Sequence, residues 1–195
     1  MSTGGVKIAI VVIMLVICVI ITVILNSRVG SASGSNTLPS GRYVTVTATE
    51  AADPDAEGND DDKNRIINLS ELEVLDANGV NIAKDKPVTG SSEWPDTHLW
   101  PKLTDGVIAA DNFAHTMGRT PEEVDFMTID LGEEKEIKTI KIHNRTSCCG
   151  KRAIGLKVQI LDESKQNIVK ETPVISTDSK DYTFTFLTDT DWRIP

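Results

Sequence analysis

The chain has 195 residues, 39% of them hydrophobic, with 20 Lys and Arg against 29 Asp and Glu and a formal charge of −9. With Lys7 and Arg28 set aside, residues 42–195 hold 18 basic and 29 acidic residues, a balance of −11. Phosphate and anionic-lipid contacts need clustered Lys and Arg, so this segment is not read as binding nucleic acid or anionic lipid. Its 154 residues fit one domain of ordinary size.

From the N-terminus, Ile8 to Leu25 are aliphatic except for Cys18 and Thr22. At about 1.5 Å per residue these eighteen positions reach about 27 Å as a helix, close to a bilayer's hydrocarbon thickness. The run is longer than the apolar stretch of a secretory signal, and Arg28 stands between it and the small residues Gly30 and Ala32. Residues 1–26 therefore read as an uncleaved single-pass membrane anchor, with Cys18 an apolar filler. Lys7 and the α-amino group on one side nearly balance Arg28 on the other, so the charge bias leaves the orientation open.

Residues 27–41, SRVGSASGSNTLPSG, have too few apolar side chains to pack and read as a flexible tether. Beyond it, short alternating stretches are divided by turn residues. They are Tyr43–Thr49, Leu69–Leu75, Met127–Leu131, Ile137–His143, Ile154–Leu161, Asn167–Lys170 and Tyr182–Leu187. In the clearest, Ile154, Leu156, Val158 and Ile160 alternate with Gly155, Lys157 and Gln159, placing four aliphatic side chains on one strand face. No stretch past residue 41 keeps a helical apolar period for three turns. The fold expected for residues 42–195 is an all-β, jelly-roll-like sandwich of about eight strands.

Three His and three Cys are present, yet no GxSxG elbow, HExxH, phosphate-cradling glycine loop or paired CxxC occurs. The chain is read as a non-enzyme. Asp53 to Asp62 alternate carboxylates as a calcium loop does, but the twelfth position from Asp53 is Asn64 rather than a bidentate Glu, which favours a solvated loop.

The segment Lys141-Ile-His-Asn-Arg145-Thr-Ser-Cys148-Cys149-Gly-Lys-Arg152 lies between two alternating stretches, hence on a loop at the sandwich rim. Two arginines seven apart across a turn can aim rigid forks of donors at one small polar ligand, or can pair with acids on the surface. Neighbouring cysteines joined by a disulfide must bridge a Cα separation of about 3.8 Å, shorter than usual and strained. Joined, they offer a flat polarizable patch suited to the apolar face of a sugar; reduced, they are two ordinary thiols.

At this segment the chain resembles the F-type (fucolectin-like) lectins, within the discoidin, or coagulation-factor 5/8 C-type, galactose-binding-like superfamily. The likeness extends over most of residues 66–187. It is carried by Leu69–Val74 with Gly79–Ala83, Lys86-Pro-Val-Thr89, Leu103-Thr-Asp-Gly106, Phe113-Ala-His115-Thr, Ile129-Asp-Leu-Gly132 and Asn144-Arg145. The narrow motif is a His followed by Arg-x-Asp-Cys-Cys-x-x-Arg. The resemblance implies that His115, Arg145 and Arg152 hydrogen-bond sugar hydroxyls while a Cys148–Cys149 disulfide packs on the ring. Ser147 replaces the motif's Asp, and 29 residues separate His115 from Arg145 where the family has 26. No cofactor is expected. The resemblance raises only a structural calcium, and Val107 stands where an Asn often helps to hold it.

His143 falls on the outward phase of its strand, and Trp94 and Trp100 in their Pro-rich crossover are expected to cap one end of the core. Two glycosylation sequons occur, Asn68-Leu-Ser70 and Asn144-Arg-Thr146. Two functions fit. One is a membrane-anchored lectin whose 42–195 domain binds a glycan, with avidity from several copies. The other is a structural protein tethering a membrane, through residues 8–25, to neighbouring proteins, as a minor capsid or virion membrane protein of a large DNA virus would.

Overall fold

The computed structural model describes residues 37–49, 66–95, 97–117, 124–186 and 192–193. The expected anchor at 8–25, the tether before Thr37 and the acidic loop Asp53–Asp62 lie outside the described residues. Among the described residues no helix is long and apolar enough to cross a membrane.

Those residues form strands β1 (Ser40–Ala48), β2 (Asn68–Leu75), β3 (Val88–Gly90), β4 (Ala114–His115), β5 (Phe126–Glu136), β6 (Thr139–Asn144), β7 (Leu156–Leu161), β8 (Ile168–Glu171), β9 (Asp181–Phe186) and β10 (Trp192–Arg193). They make two five-stranded antiparallel sheets, ordered β3-β5-β1-β7-β8 and β10-β9-β6-β2-β4. The result is an all-β sandwich with ten strands among the described residues where about eight were expected. The three that fall on none of the seven alternating stretches, β3, β4 and β10, are two or three residues long. Elements that short carry no measurable alternation; they exist because a longer neighbour presents free backbone groups to them.

The core lies between the sheets. Val44, Val46, Met127, Ile129, Leu156, Val158 and Ile160 from one sheet pack with Leu72, Val74, Ile140, Ile142, Phe184 and Phe186 from the other. Alternation explains this set, since period-2 side chains on each strand reach the same face. On the other face of the first sheet, Thr45 and Thr128 share a 2.8 Å hydroxyl hydrogen bond.

Two expectations change. Ile154 does not join Leu156, Val158 and Ile160: it ends a 3₁₀ turn (Gly150–Ala153), and Gly155 at φ +88° reverses the chain before β7 starts. The stretch read as tether runs into the sheet. Ser40 and Gly41 pair with Glu136 and Lys135, and Leu38 packs on the core. Gly41 fits there because a Cβ would stand 2.4 Å from Ile160 Cγ2 and 2.6 Å from the Leu161 carbonyl oxygen.

Candidate functional site

The site is assembled where the end of β6 meets the turn before β7. Asn144, the last residue of β6, is buried, and its side chain is the pin. Its Nδ2 donates to the Gly150 and Ser179 carbonyls, each at 2.9 Å, and its Oδ1 accepts from the Arg145 N–H at 2.9 Å. The Asn144 backbone N–H donates to the Lys180 carbonyl at 2.8 Å. One side chain thus ties together the cysteine turn and the loop leading into β9. From the other direction that loop is held by Tyr182, whose hydroxyl donates to the Thr177 carbonyl and accepts from the Ser179 N–H.

Cys148 and Cys149 are disulfide-bonded. Cys149 takes φ +63°, the left-handed region a side chain enters at about 1 kcal/mol, so the turn depends on its surroundings. Cys148 is exposed and Cys149 buried. The pair forms part of a cleft of about 380 Å³ lined also by Arg145, Thr146, Asp178 and Lys180.

Arg145 is fixed in two ways. Its Nε donates to Ser147 Oγ at 2.8 Å, and its guanidinium carbon lies 3.9 Å from the Phe113 ring centroid, a cation–π stack. Ser147, where the lectin motif has Asp, therefore still orients an arginine, but the nearer one. Partial burial pulls the Arg145 pKa below its ordinary value, and nearby Asp111 opposes that shift.

His115 and Arg152 lie behind this surface, only 6% and 8% exposed. Arg152 Nη1 donates to His115 Nε2 at 3.2 Å. Because Arg can only donate, Nε2 must accept, so His115 carries its proton on Nδ1 and donates it to the Thr116 carbonyl. Burial, with help from the Arg152 and Arg145 charges, brings the His115 pKa down to about 4 and keeps the ring neutral at pH 7.

The sequence-predicted residues thus fall into two groups. Arg145, Cys148 and Cys149 line one cleft; His115 and Arg152 contact each other. An aromatic relay connects the groups. Phe113, under Arg145, stacks on His98 at 3.9 Å, His115 lies 6.0 Å from Phe113, and Trp94 lies 5.1 Å from His115. Trp100 packs on the core as expected and donates from Nε1 to the Ser92 carbonyl, but Trp94 is 42% exposed and covers His115 rather than the core. Phe113 was visible in the Phe-Ala-His-Thr motif. Asp178 and Lys180 had no local signal, since they reach the cleft only through the pairing of β6 with β9.

His143 points outward as expected, between Asp181 and Glu73. Both sequon asparagines are buried, Asn68 at 1% and Asn144 at 3% exposure. The loop where a structural calcium was considered closes on protein partners: Asn112 Nδ2 donates to both Asp105 carboxylate oxygens and to the Val107 carbonyl. Among the described residues no group of three acidic, His or Cys side chains converges.

A search of curated proteins finds no match. Residues 102–194 match the family described as NedA-like, galactose-binding domain, which supports a discoidin-like F5/F8 type C domain in this part of the chain.

Proposed function

We propose that the β-sandwich is a carbohydrate-binding recognition module, carried on a membrane by the apolar run at residues 8–25. The observation that carries this reading is the cleft itself. Arg145, held against Phe113, offers donors beside the disulfide of Cys148 and Cys149, and Asp178 also lines the cleft. Sugar recognition needs this combination of directional hydrogen bonds to hydroxyls and an apolar surface for the ring. His115, as a neutral ring, accepts a hydrogen bond from the Arg152 cation, and the buried pair faces the ligand with little exposed surface. The cleft is shallow, so a single site binds weakly and several copies on one membrane supply avidity.

A second reading, docking onto neighbouring proteins of a virion or capsid, is favoured by the exposed apolar tip Val107–Ile108, 49% and 57% exposed beside the site's own β4. The full-length chain in detergent, applied to a glycan array, separates the two. Glycan binding that Arg145→Ala and a Cys148→Ser/Cys149→Ser pair each abolish supports the lectin reading. An array blank at all glycans, or binding indifferent to both changes, overturns it in favour of docking.

A further inference from the structure

Successive side chains of an extended strand point to opposite faces, so two neighbouring cysteines joined to each other cannot both lie on one. The Cys148–Cys149 bond therefore keeps this turn out of the sheet. Cys149 takes φ +63° instead, a region that a non-glycine residue leaves when nothing holds it there. From that conformation it caps the 3₁₀ turn Gly150–Ala153, and its carbonyl accepts the Arg152 N–H at 3.1 Å. Arg152 in turn donates from Nη1 to His115 Nε2. Asn144 Nδ2 fixes the Gly150 carbonyl, so any relaxation of Cys149 falls on its own two peptides, one of which carries the carbonyl that holds Arg152.

The bond is also placed to be opened. Cys148 is exposed and Cys149 buried, so an incoming thiolate reaches the Cys148 sulfur and Cys149 is the leaving group. Arg145 and Lys180 line the same cleft, opposed by Asp178, and nearby cations lower a thiol's pKa and speed its departure. A dithiol reductant completes the step. Its first thiolate forms a mixed disulfide with Cys148 and releases Cys149 as a thiolate, which takes up a proton. Its second thiol, as thiolate, attacks its own sulfur in that mixed disulfide, closes the reductant's disulfide and releases Cys148, which is protonated in turn. Two electrons and two protons pass to the cysteines, and a disulfide oxidant reverses the exchange.

We propose that the Cys148–Cys149 bond is a reversible redox switch whose opening releases Arg152 from His115 and uncovers the ring. Bonded, the turn keeps the pair together and buried. Reduced, Cys149 leaves the left-handed region and its carbonyl no longer holds the Arg152 N–H. This coupling belongs to the turn whatever the cleft binds; only the accompanying loss of glycan affinity rests on the carbohydrate-binding reading above.

The test follows the imidazole NMR signals of the full-length chain in detergent, with and without dithiothreitol, reduction being scored by alkylation mapped to residues 148 and 149. Oxidised, the His115 signal should titrate at about 4. Reduction restores water to the ring and removes the Arg152 charge, so the midpoint should rise by about one pH unit or more, and glutathione disulfide should bring it back. The double variant Cys148→Ser/Cys149→Ser should titrate like the reduced chain under both conditions. Cys148→Ser/Cys149→Gly, in which glycine enters the left-handed region freely, should lie closer to the oxidised chain. Cysteines that resist dithiothreitol, a midpoint that stays put once both are alkylated, or two double variants that titrate alike overturn the switch. So does loss of the far-UV β signal on reduction, since the bond then holds the whole sandwich rather than one pair. A glycan array run in both states separates the two readings. A His115 shift with no glycan bound in either state supports the switch and removes the carbohydrate reading, whereas glycan binding with an unmoved midpoint removes the switch alone.

Discussion

Glu71 lies on β2 with 1% of its surface exposed, and among the described residues its carboxylate accepts one hydrogen bond, from the Gly106 N–H to Oε2 at 3.2 Å. Its Oε1 is buried without a partner. Burial, reinforced by Asp105, Glu73 and Asp85, pushes its pKa from 4.5 up to about 8. The folded state therefore binds a proton that the unfolded chain releases, so this group's contribution is complete below pH 4.5 and is lost as pH rises to about 8. At pH 7 the native carboxyl stays protonated against about 2.5 pH units of unfolded-state ionisation, a cost of roughly 3 kcal/mol; at pH 5 the cost is about 1 kcal/mol. Glu71→Gln keeps the acceptor for Gly106 and places an amide among neighbouring carboxylates, removing the titration. Urea unfolding of the full-length chain, followed by Trp fluorescence at pH 5, 6, 7 and 8, should show the variant gaining on wild type by roughly 2 kcal/mol between pH 5 and 7. Because every other group titrates equally in both proteins, the difference isolates Glu71. Parallel stability curves for the two proteins would refute the buried-carboxyl argument.

Three further outcomes follow from the site. His115 behaves in the opposite sense: with a folded pKa lowered to about 4, its contribution is complete above 6.5 and is lost as pH falls toward 4. Glycan affinity should be flat from pH 8 to 6 and fall below 5, with the His115 ring signal titrating near 4; a midpoint near 6.5 would mean that the ring is not buried against Arg152. Asn144→Ala strands the Gly150 and Ser179 carbonyls and the Arg145 N–H and should lower stability by about 2–4 kcal/mol, measured by the same urea unfolding. A glycan on Asn144 Nδ2 would remove at least one of its two donor contacts and needs room that the buried side chain lacks, so intact mass with and without glycosidase should show Asn68 and Asn144 bare in protein that binds ligand. A glycosylated Asn144 in binding-competent protein would show that the pin is dispensable.

Much of the sandwich was readable before any coordinates. Strands β1, β2, β5, β6, β7 and β9 lie on the alternating stretches because one face of each is buried, and burial leaves a period-2 trace in composition; β8 lies on such a stretch too, but no residue of it is buried. The short strands β3, β4 and β10 left no such trace, and β4 carries His115. The start of β1 at Ser40 was hidden for a related reason: Ser, Gly and Pro read as linker until Ile160 and Glu136 are seen against them. In the candidate site, the sequence placed Arg145, Cys148, Cys149 and Arg152 on one contiguous turn, since chain neighbours stay neighbours in any fold. Only the tertiary structure decided which of them reach the cleft. Arg152 turns inward to His115 from 37 positions away, Phe113 slides beneath Arg145, and Asp178 arrives through β9. Those contacts join residues far apart in sequence, and such pairings are set by sheet register and packing rather than by any local pattern.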